Sequence, residues 1–136
     1  MLVGNGYGKS AVRLVTVRRG PELHELKDVT VAIRLEGDFE TAYTEGDNSR
    51  VLPTDTMKNT IYALAADDPL KDIESFGLRL AEHFFQEPAT SVRIELAEHL
   101  WERLHPHAFR RPGGEKRTAV VTRTREGVWV RAGIED

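Results

Sequence analysis

The sequence predicts an α+β fold, in which an antiparallel four-stranded sheet carries two consecutive antiparallel helices on one face. Apolar residues recur every second position near both ends of the chain, which is typical of half-buried strands. Between these regions they recur every three or four positions, which is typical of amphipathic helices. The resulting order is β-β-α-α-β-β, and two hairpins with both helices on one face are its simplest arrangement.

The first two strands are predicted to form a long hairpin. Residues 11–20 are rich in Val and end at Gly20-Pro21, which indicates a strand followed by a turn. From Asp28 to Glu36 the alternation of apolar and polar residues is sharper, so this strand has one buried face. The residues of that face are Val29, Val31, Ile33 and Leu35.

Two helices are predicted in the middle of the chain. Thr54 and Asp55 stand just ahead of the first apolar stripe and are good N-cap types, and Pro69 ends that helix. A second stripe begins at once and stops before Pro88. The first stripe consists of Met57, Ile61, Leu64 and Ala65, and the second of Leu70, Ile73, Phe76, Leu80 and Phe84.

The last part of the chain returns to strands. Residues 92–96 alternate, and this strand can extend to Trp101. A loop is predicted over His105-Pro106-His107 and Pro112-Gly113-Gly114. Segments 118–124 and 128–130 lie on either side of Glu126-Gly127 and form the final strand pair.

Composition narrows the possible functions. The 136 residues suit a single domain over 1–136, and 40% hydrophobic with 30% charged residues suits a normal core. A net charge of −3 argues against a dedicated nucleic-acid binder. The absence of cysteine excludes disulfides, thiolate metal sites and a cysteine nucleophile. No apolar run approaches the ~20 residues of a membrane span, and the first residues do not have the pattern of a signal peptide.

Several short motifs stand out against this background. The most specific is the run Thr54-Asp55-Thr56-Met57-Lys58-Asn59-Thr60-Ile61-Tyr62, and it is accompanied by Tyr7-Gly8-Lys9 near the N-terminus. The other motifs are Val12-Arg13, Leu35-Glu36-Gly37, Thr41-Ala42-Tyr43-Thr44, Gly46-Asp47-Asn48-Ser49, His105-Pro106-His107-Ala108-Phe109 and Glu115-Lys116-Arg117.

With the predicted order of elements, these motifs resemble the urate oxidase (uricase) family, whose members have the tunnelling fold (T-fold). The resemblance spans the whole chain but only the first half of the family's usual length. It implies a factor-independent urate hydroxylase, which oxidises urate with O₂ to 5-hydroxyisourate and H₂O₂ without a cofactor or a metal. It also implies a cytoplasmic protein if the source is bacterial and a peroxisomal one if it is eukaryotic.

The resemblance assigns catalytic roles to Lys9 and Thr54, as two members of a Lys-Thr-His proton relay. Thr54 and Asp55 would also bind the substrate, with Asp55 at the edge of the purine. From the residues alone, Lys9 is a solvated surface lysine and the other two cap a helix. Free N–H groups at a helix start nevertheless suit an anion such as urate, so capping and substrate binding are compatible.

The family's other site residues (an Arg, a Gln, a Phe, an Asn and the relay His) belong to the second half of the usual chain. We therefore expect this chain alone to have no turnover. The open sheet edges and the resemblance together predict a homo-oligomer, a tetramer for the full-length protein, with sites at subunit interfaces. The resemblance implies urate and O₂ as partners, and we expect neither a nucleic acid nor a membrane.

The sequence leaves two alternative functions open. The first is a non-catalytic T-fold module that binds a purine or a pterin. The second is a zinc-dependent relative, such as a pterin-pathway cyclohydrolase or synthase. The lack of cysteine and of a His cluster argues against zinc, because His105 and His107 flank a proline and suit a turn better than a metal site.

Overall fold

The computed structural model describes residues 6–19, 24–37, 52–67, 72–105, 108–110 and 113–135. The predicted antiparallel sheet and its two helices are confirmed, in the predicted strand-strand-helix-helix-strand order. The elements are β1 (Gly6–Arg19), β2 (His24–Gly37), α1 (Thr54–Asp67), α2 (Ile73–Phe84), β3 (Ala89–His99), β4 (Glu102–His105), β5 (Ala108–Arg110), β6 (Lys116–Thr124) and β7 (Gly127–Glu135).

The main sheet has five strands rather than the predicted four, in the order β1-β2-β3-β6-β7, and every neighbouring pair is antiparallel. The additional strand is β7, which pairs with β6 from Thr124–Gly127 to Lys116–Glu135. The sequence pattern indicates only residues 128–130 of it. Nearly all of β7 is exposed, so its residues are under little pressure to alternate between apolar and polar types.

A second correction concerns the loop predicted around His105. The short strands β4 and β5 form a separate two-stranded sheet there, with Glu102 paired to Arg110. Their side chains also form an ion pair, at 2.7 Å between Arg110 Nε and Glu102 Oε2. Pro106 and His107, which connect the two strands, lie outside the described residues.

Both helices pack on the same face of the sheet. Their buried residues form one hydrophobic cluster with alternate residues of β1, β2, β3 and β6. In α2, a Cβ atom on Gly77 would lie 2.8 Å from side-chain atoms of both Leu96 and Val121, so glycine allows this helix to approach the sheet closely. Asp72 caps α2 and accepts a hydrogen bond from the Ser75 N–H at 2.7 Å. In the described ranges, no helix has both the length and the hydropathy to cross a membrane.

A buried carboxylate ties β1 and β2 to the segment after β3. The Asp28 side chain is fully buried and accepts hydrogen bonds from Arg13 Nε at 2.5 Å and from Trp101 Nε1 at 2.9 Å. Burial alone would raise the pKa of Asp28. The hydrogen bonds from Arg13 and Trp101, with the positive charges of Arg13 and His99, outweigh it and hold this pKa below the usual aspartate value.

We expect Asp28→Asn to destabilise the fold by about 1–3 kcal/mol at pH 7, because Arg13 and Trp101 lose a charged acceptor. A lowered pKa in the folded state stabilises the fold above the unfolded pKa of about 4, and this contribution is lost as the pH falls through the lower folded value. Urea unfolding from pH 7 to pH 2.5 should therefore show the difference between wild type and variant shrinking below about pH 4.

The matched control is Glu95→Gln, which removes an ion pair of 2.9 Å between Arg93 and Glu95 whose two side chains are both more than half exposed. Its effect should stay within about 0.2–1 kcal/mol, as for other exposed pairs. A difference between wild type and Asp28→Asn that stays constant down to pH 2.5 would contradict the role of Asp28.

Candidate functional site

Lys9 lies near the start of β1, on the side of the sheet that carries the helices. Tyr7 pairs with Leu35 and Lys9 pairs with Ile33, and both partners on β2 are buried in the core. Directly paired residues of an antiparallel sheet project to the same face. The side chains of Tyr7 and Lys9 therefore project towards the helix layer, and Tyr7 packs against the core.

The backbone around Lys9 is tightly constrained. A Cβ atom on Gly8 would lie 1.9 Å from the carbonyl oxygen of Ile33, so only glycine lets β1 approach β2 this closely. Directly after Lys9, Ser10 and Ala11 together stand opposite Ala32 alone, which is a β-bulge. Ala11 has a φ of 56°, in the left-handed region that residues other than glycine rarely adopt. Bulges of this kind re-aim neighbouring side chains, and this one adjoins a predicted site residue.

Thr54 and Asp55 occupy the first turn of α1, which corrects the prediction that they cap it. The Pro53 carbonyl accepts the first helical hydrogen bond, from the Met57 N–H at 3.1 Å, so the helix begins one residue earlier than their side chains suggested. Both residues are exposed. First-turn N–H groups have no acceptor within their own helix, and they form a site suited to an anion or a carbonyl oxygen.

Two tyrosine hydroxyls connect β1 to α1. The Leu52 N–H donates a hydrogen bond of 2.5 Å to Tyr7 Oη, and the Tyr62 hydroxyl donates one of 3.2 Å to the Arg13 carbonyl. Tyr7 precedes Lys9 by two residues, and Arg13 follows it by four. The first of these bonds therefore links the chain just before Lys9 to the chain just before the α1 start.

The structure thus places Lys9 and Thr54 on two elements that are bonded to each other. No hydrogen bond joins the two side chains in the described part of the chain, so their direct contact stays a prediction. Sequence reasoning missed Tyr7 and Leu52. The only signal for them was the position of Tyr7 in the Tyr7-Gly8-Lys9 motif.

A cavity of about 490 Å³ lies beside the bulge. Its charged walls come from β2 and β3, where the Arg93–Glu95 pair is 2.9 Å apart and the longer Arg34–Glu36 pair is 3.5 Å apart. These charged residues alternate with the buried Ile33 and Ile94, so they project to the face opposite the helices, whereas the Lys9 side chain projects towards the helix layer. The lining residues are Lys9, Ser10, Ala32, Ile33, Arg34, Glu36, Arg93 and Glu95.

The remaining motifs add no metal site within the described ranges, where no group of three or more His, Asp or Glu side chains is placed to hold an ion. The Thr41–Thr44 and Gly46–Ser49 motifs lie outside the described residues.

The family model that matches this chain and two of its sequence relatives agree with each other. The family model described as Uricase matches residues 5–122. The uricase of Arthrobacter globiformis is 44% identical over 135 residues, which cover 96% of this chain and 44% of that protein. The uricase of Cyberlindnera jadinii is 36% identical, covering 93% of this chain and 45% of its own length.

Solved structures agree with the sequence relatives. The crystal structure of the Arthrobacter globiformis uricase superposes with a TM-score of 0.93 at 44% identity, covering 99% of this chain and 48% of the other. A uricase from Bacillus fastidious gives a TM-score of 0.77 at 28% identity, covering 97% and 53%. The chain thus spans about half the length of the curated relatives that it matches.

Proposed function

The chain belongs to the uricase family, and on that basis we propose that it supplies one side of a site where urate is oxidised. The observation that carries the proposal is the family match over residues 5–122, which includes the segments of Lys9 and Thr54. Per urate, one O₂ and one water are consumed. The products are 5-hydroxyisourate, which gains one oxygen, and H₂O₂, to which O₂ is reduced.

Proton transfer is the task proposed for Lys9 and Thr54. The oxidation of urate removes protons from the purine, and the reduction of O₂ to peroxide takes them up. A threonine hydroxyl both donates and accepts hydrogen bonds, so Thr54 can pass a proton from the substrate to the amine of Lys9. The bond between Tyr7 and Leu52 supports this arrangement, because it restricts how far the chain before Lys9 can separate from the chain before Thr54.

Substrate binding is proposed for the first turn of α1. The N–H groups of Thr54 and Asp55 lie at the positive end of the helix dipole, which favours the urate anion and its carbonyl oxygens. The backbone N–H of Asp55 would contact the edge of the purine. We propose no cofactor and no metal for this step.

We further propose that the remaining site residues come from outside these 136 residues. We also propose that the protein is a homo-oligomer, and a tetramer when the family's full length is present. Strand β7 supports this, because it is an edge strand with exposed apolar side chains. Val130 is 45% exposed although it pairs with the fully buried Val121, and Ile134 is 71% exposed. An edge of this kind is normally paired or covered.

The experiment uses a reconstituted complex, meaning this chain co-expressed with the part of the Arthrobacter globiformis uricase that it does not match. We expect the complex to consume O₂ when urate is added, with one H₂O₂ formed per O₂, and to be an oligomer by light scattering. The chain alone should show no urate-dependent O₂ uptake.

The control pairs the two parts of the Arthrobacter globiformis uricase with each other. If that pair is active and the complex with this chain is not, the proposal is wrong. Binding of urate without O₂ uptake would instead support the alternative of a purine- or pterin-binding module.

A further inference from the structure

We propose that Tyr7 is a positioning residue, whose hydroxyl sets the distance between Lys9 and the start of α1. This inference rests on the proposed function, because it gives Tyr7 a role in the same proton transfer. Tyr7 itself need not touch the substrate. It acts through the hydrogen bond of 2.5 Å that its oxygen accepts from the Leu52 N–H.

The sequence positions of the bonded residues carry the argument. Tyr7 lies two residues before Lys9, and Leu52 lies two residues before Thr54. Two residues of chain span at most about 7 Å, so a bond between Tyr7 and Leu52 limits how far the backbones of Lys9 and Thr54 can separate. It joins segments that are 45 residues apart in sequence.

Both ends of this bond are anchored. On the β1 side, Tyr7 pairs with the buried Leu35 and its ring packs against the core. On the α1 side, Leu52 directly precedes Pro53, whose carbonyl accepts the first helical hydrogen bond. The bond therefore holds the first turn of α1 against β1. Loss of the hydroxyl would leave the partly buried Leu52 N–H without this acceptor.

Tyr62 provides a matched comparison, since its hydroxyl also joins α1 to β1. That bond is longer, at 3.2 Å, and the Tyr62 side chain is exposed. It reaches β1 at Arg13, on the far side of the bulge from Lys9. A general effect of tying the two elements together should appear in both tyrosine variants, whereas positioning of Lys9 should appear only at Tyr7.

The kinetic test compares Tyr7→Phe with Tyr62→Phe in the reconstituted complex. We expect Tyr7→Phe to lower kcat about tenfold and to change KM for urate less than twofold, because positioning acts on the reaction step. Tyr62→Phe should leave kcat within twofold. In a Lys9→Met background, Tyr7→Phe should cause no further loss, since the group that it positions is gone. Equal kcat for the two tyrosine variants, or additive losses with Lys9→Met, would overturn the inference.

A second measurement uses the 136-residue chain alone and does not depend on turnover. Amide hydrogen exchange at Leu52 should accelerate at least tenfold in Tyr7→Phe, and the NMR signals of Lys9 and Thr54 should shift, while Tyr62→Phe changes neither. Unchanged exchange at Leu52 would overturn the inference whatever the activity of the complex. If the wild-type complex is inactive while the Arthrobacter globiformis pair is active, and Leu52 exchange is faster in Tyr7→Phe, the proposed function is refuted and the contact between Tyr7 and the start of α1 stays supported.

Discussion

In the reconstituted complex, Lys9→Met and Thr54→Ala are each expected to lower kcat for urate oxidation by about 10²-fold or more, the usual scale for losing acid–base assistance. Methionine keeps the length of the lysine side chain but cannot carry a proton, and alanine removes the only hydroxyl of Thr54. The KM for urate should change less. We assign the binding of urate to backbone N–H groups of α1 and to residues outside this chain.

Matched controls separate these roles from general damage. Thr56→Ala removes an exposed hydroxyl from the same turn of α1, and Lys116→Met removes a lysine from the distant strand β6. Both should keep kcat within about twofold of wild type, by the usual tolerance of surface substitutions. If Lys9→Met and Thr54→Ala behave like these controls, the relay assignment fails. The two residues would then be a surface lysine and a first-turn helix residue.

Much of the fold could be predicted because its core residues obey simple periods. Val29, Val31, Ile33 and Leu35 are all buried, as their alternation in the sequence predicted. The period signal comes from burial on one face, so it fails where burial is absent. Strand β7 is exposed along almost its whole length, and its sequence therefore predicted only a fragment of it.

Local patterns also could not predict the details that shape the site. Alanine gives no sequence signal for a left-handed conformation, so the bulge at Ser10 and Ala11 could not be predicted from the sequence. The start of α1 is decided by the backbone bond from Met57 to Pro53, whereas the side chains of Thr54 and Asp55 suggested a later start. Short motifs identified Lys9 and Thr54 as candidates.

A hydrogen bond between Leu52 and Tyr7, which are 45 residues apart in sequence, joins the chain just before Thr54 to the chain just before Lys9. Its donor is a backbone N–H, which every residue except proline has, so the residue type at position 52 does not indicate this hydrogen bond. Such a contact can be found only in three dimensions.

Gly8→Ala is expected to have the second large effect, because the added methyl group would collide with the backbone of β2. Its Cβ would lie 1.9 Å from the Ile33 carbonyl oxygen and 2.9 Å from the Arg34 Cα, and backbone atoms cannot move aside as a side chain can. Relieving the clash must displace β1 beside Lys9. We expect a loss of about 1–3 kcal/mol in the free energy of unfolding, measured with urea on the 136-residue chain.

In the reconstituted complex the same displacement should lower kcat by roughly 10- to 100-fold, since a shift of about 1 Å in a catalytic group can have that effect. The matched control is Gly133→Ala in β7, where the added Cβ would meet only Thr118 Oγ1 at 3.6 Å, an ordinary contact. Alanine there should leave stability within about 0.5 kcal/mol, the usual range for surface substitutions. If Gly8→Ala matched Gly133→Ala in both stability and kcat, the close approach of β1 to β2 would not be what places Lys9.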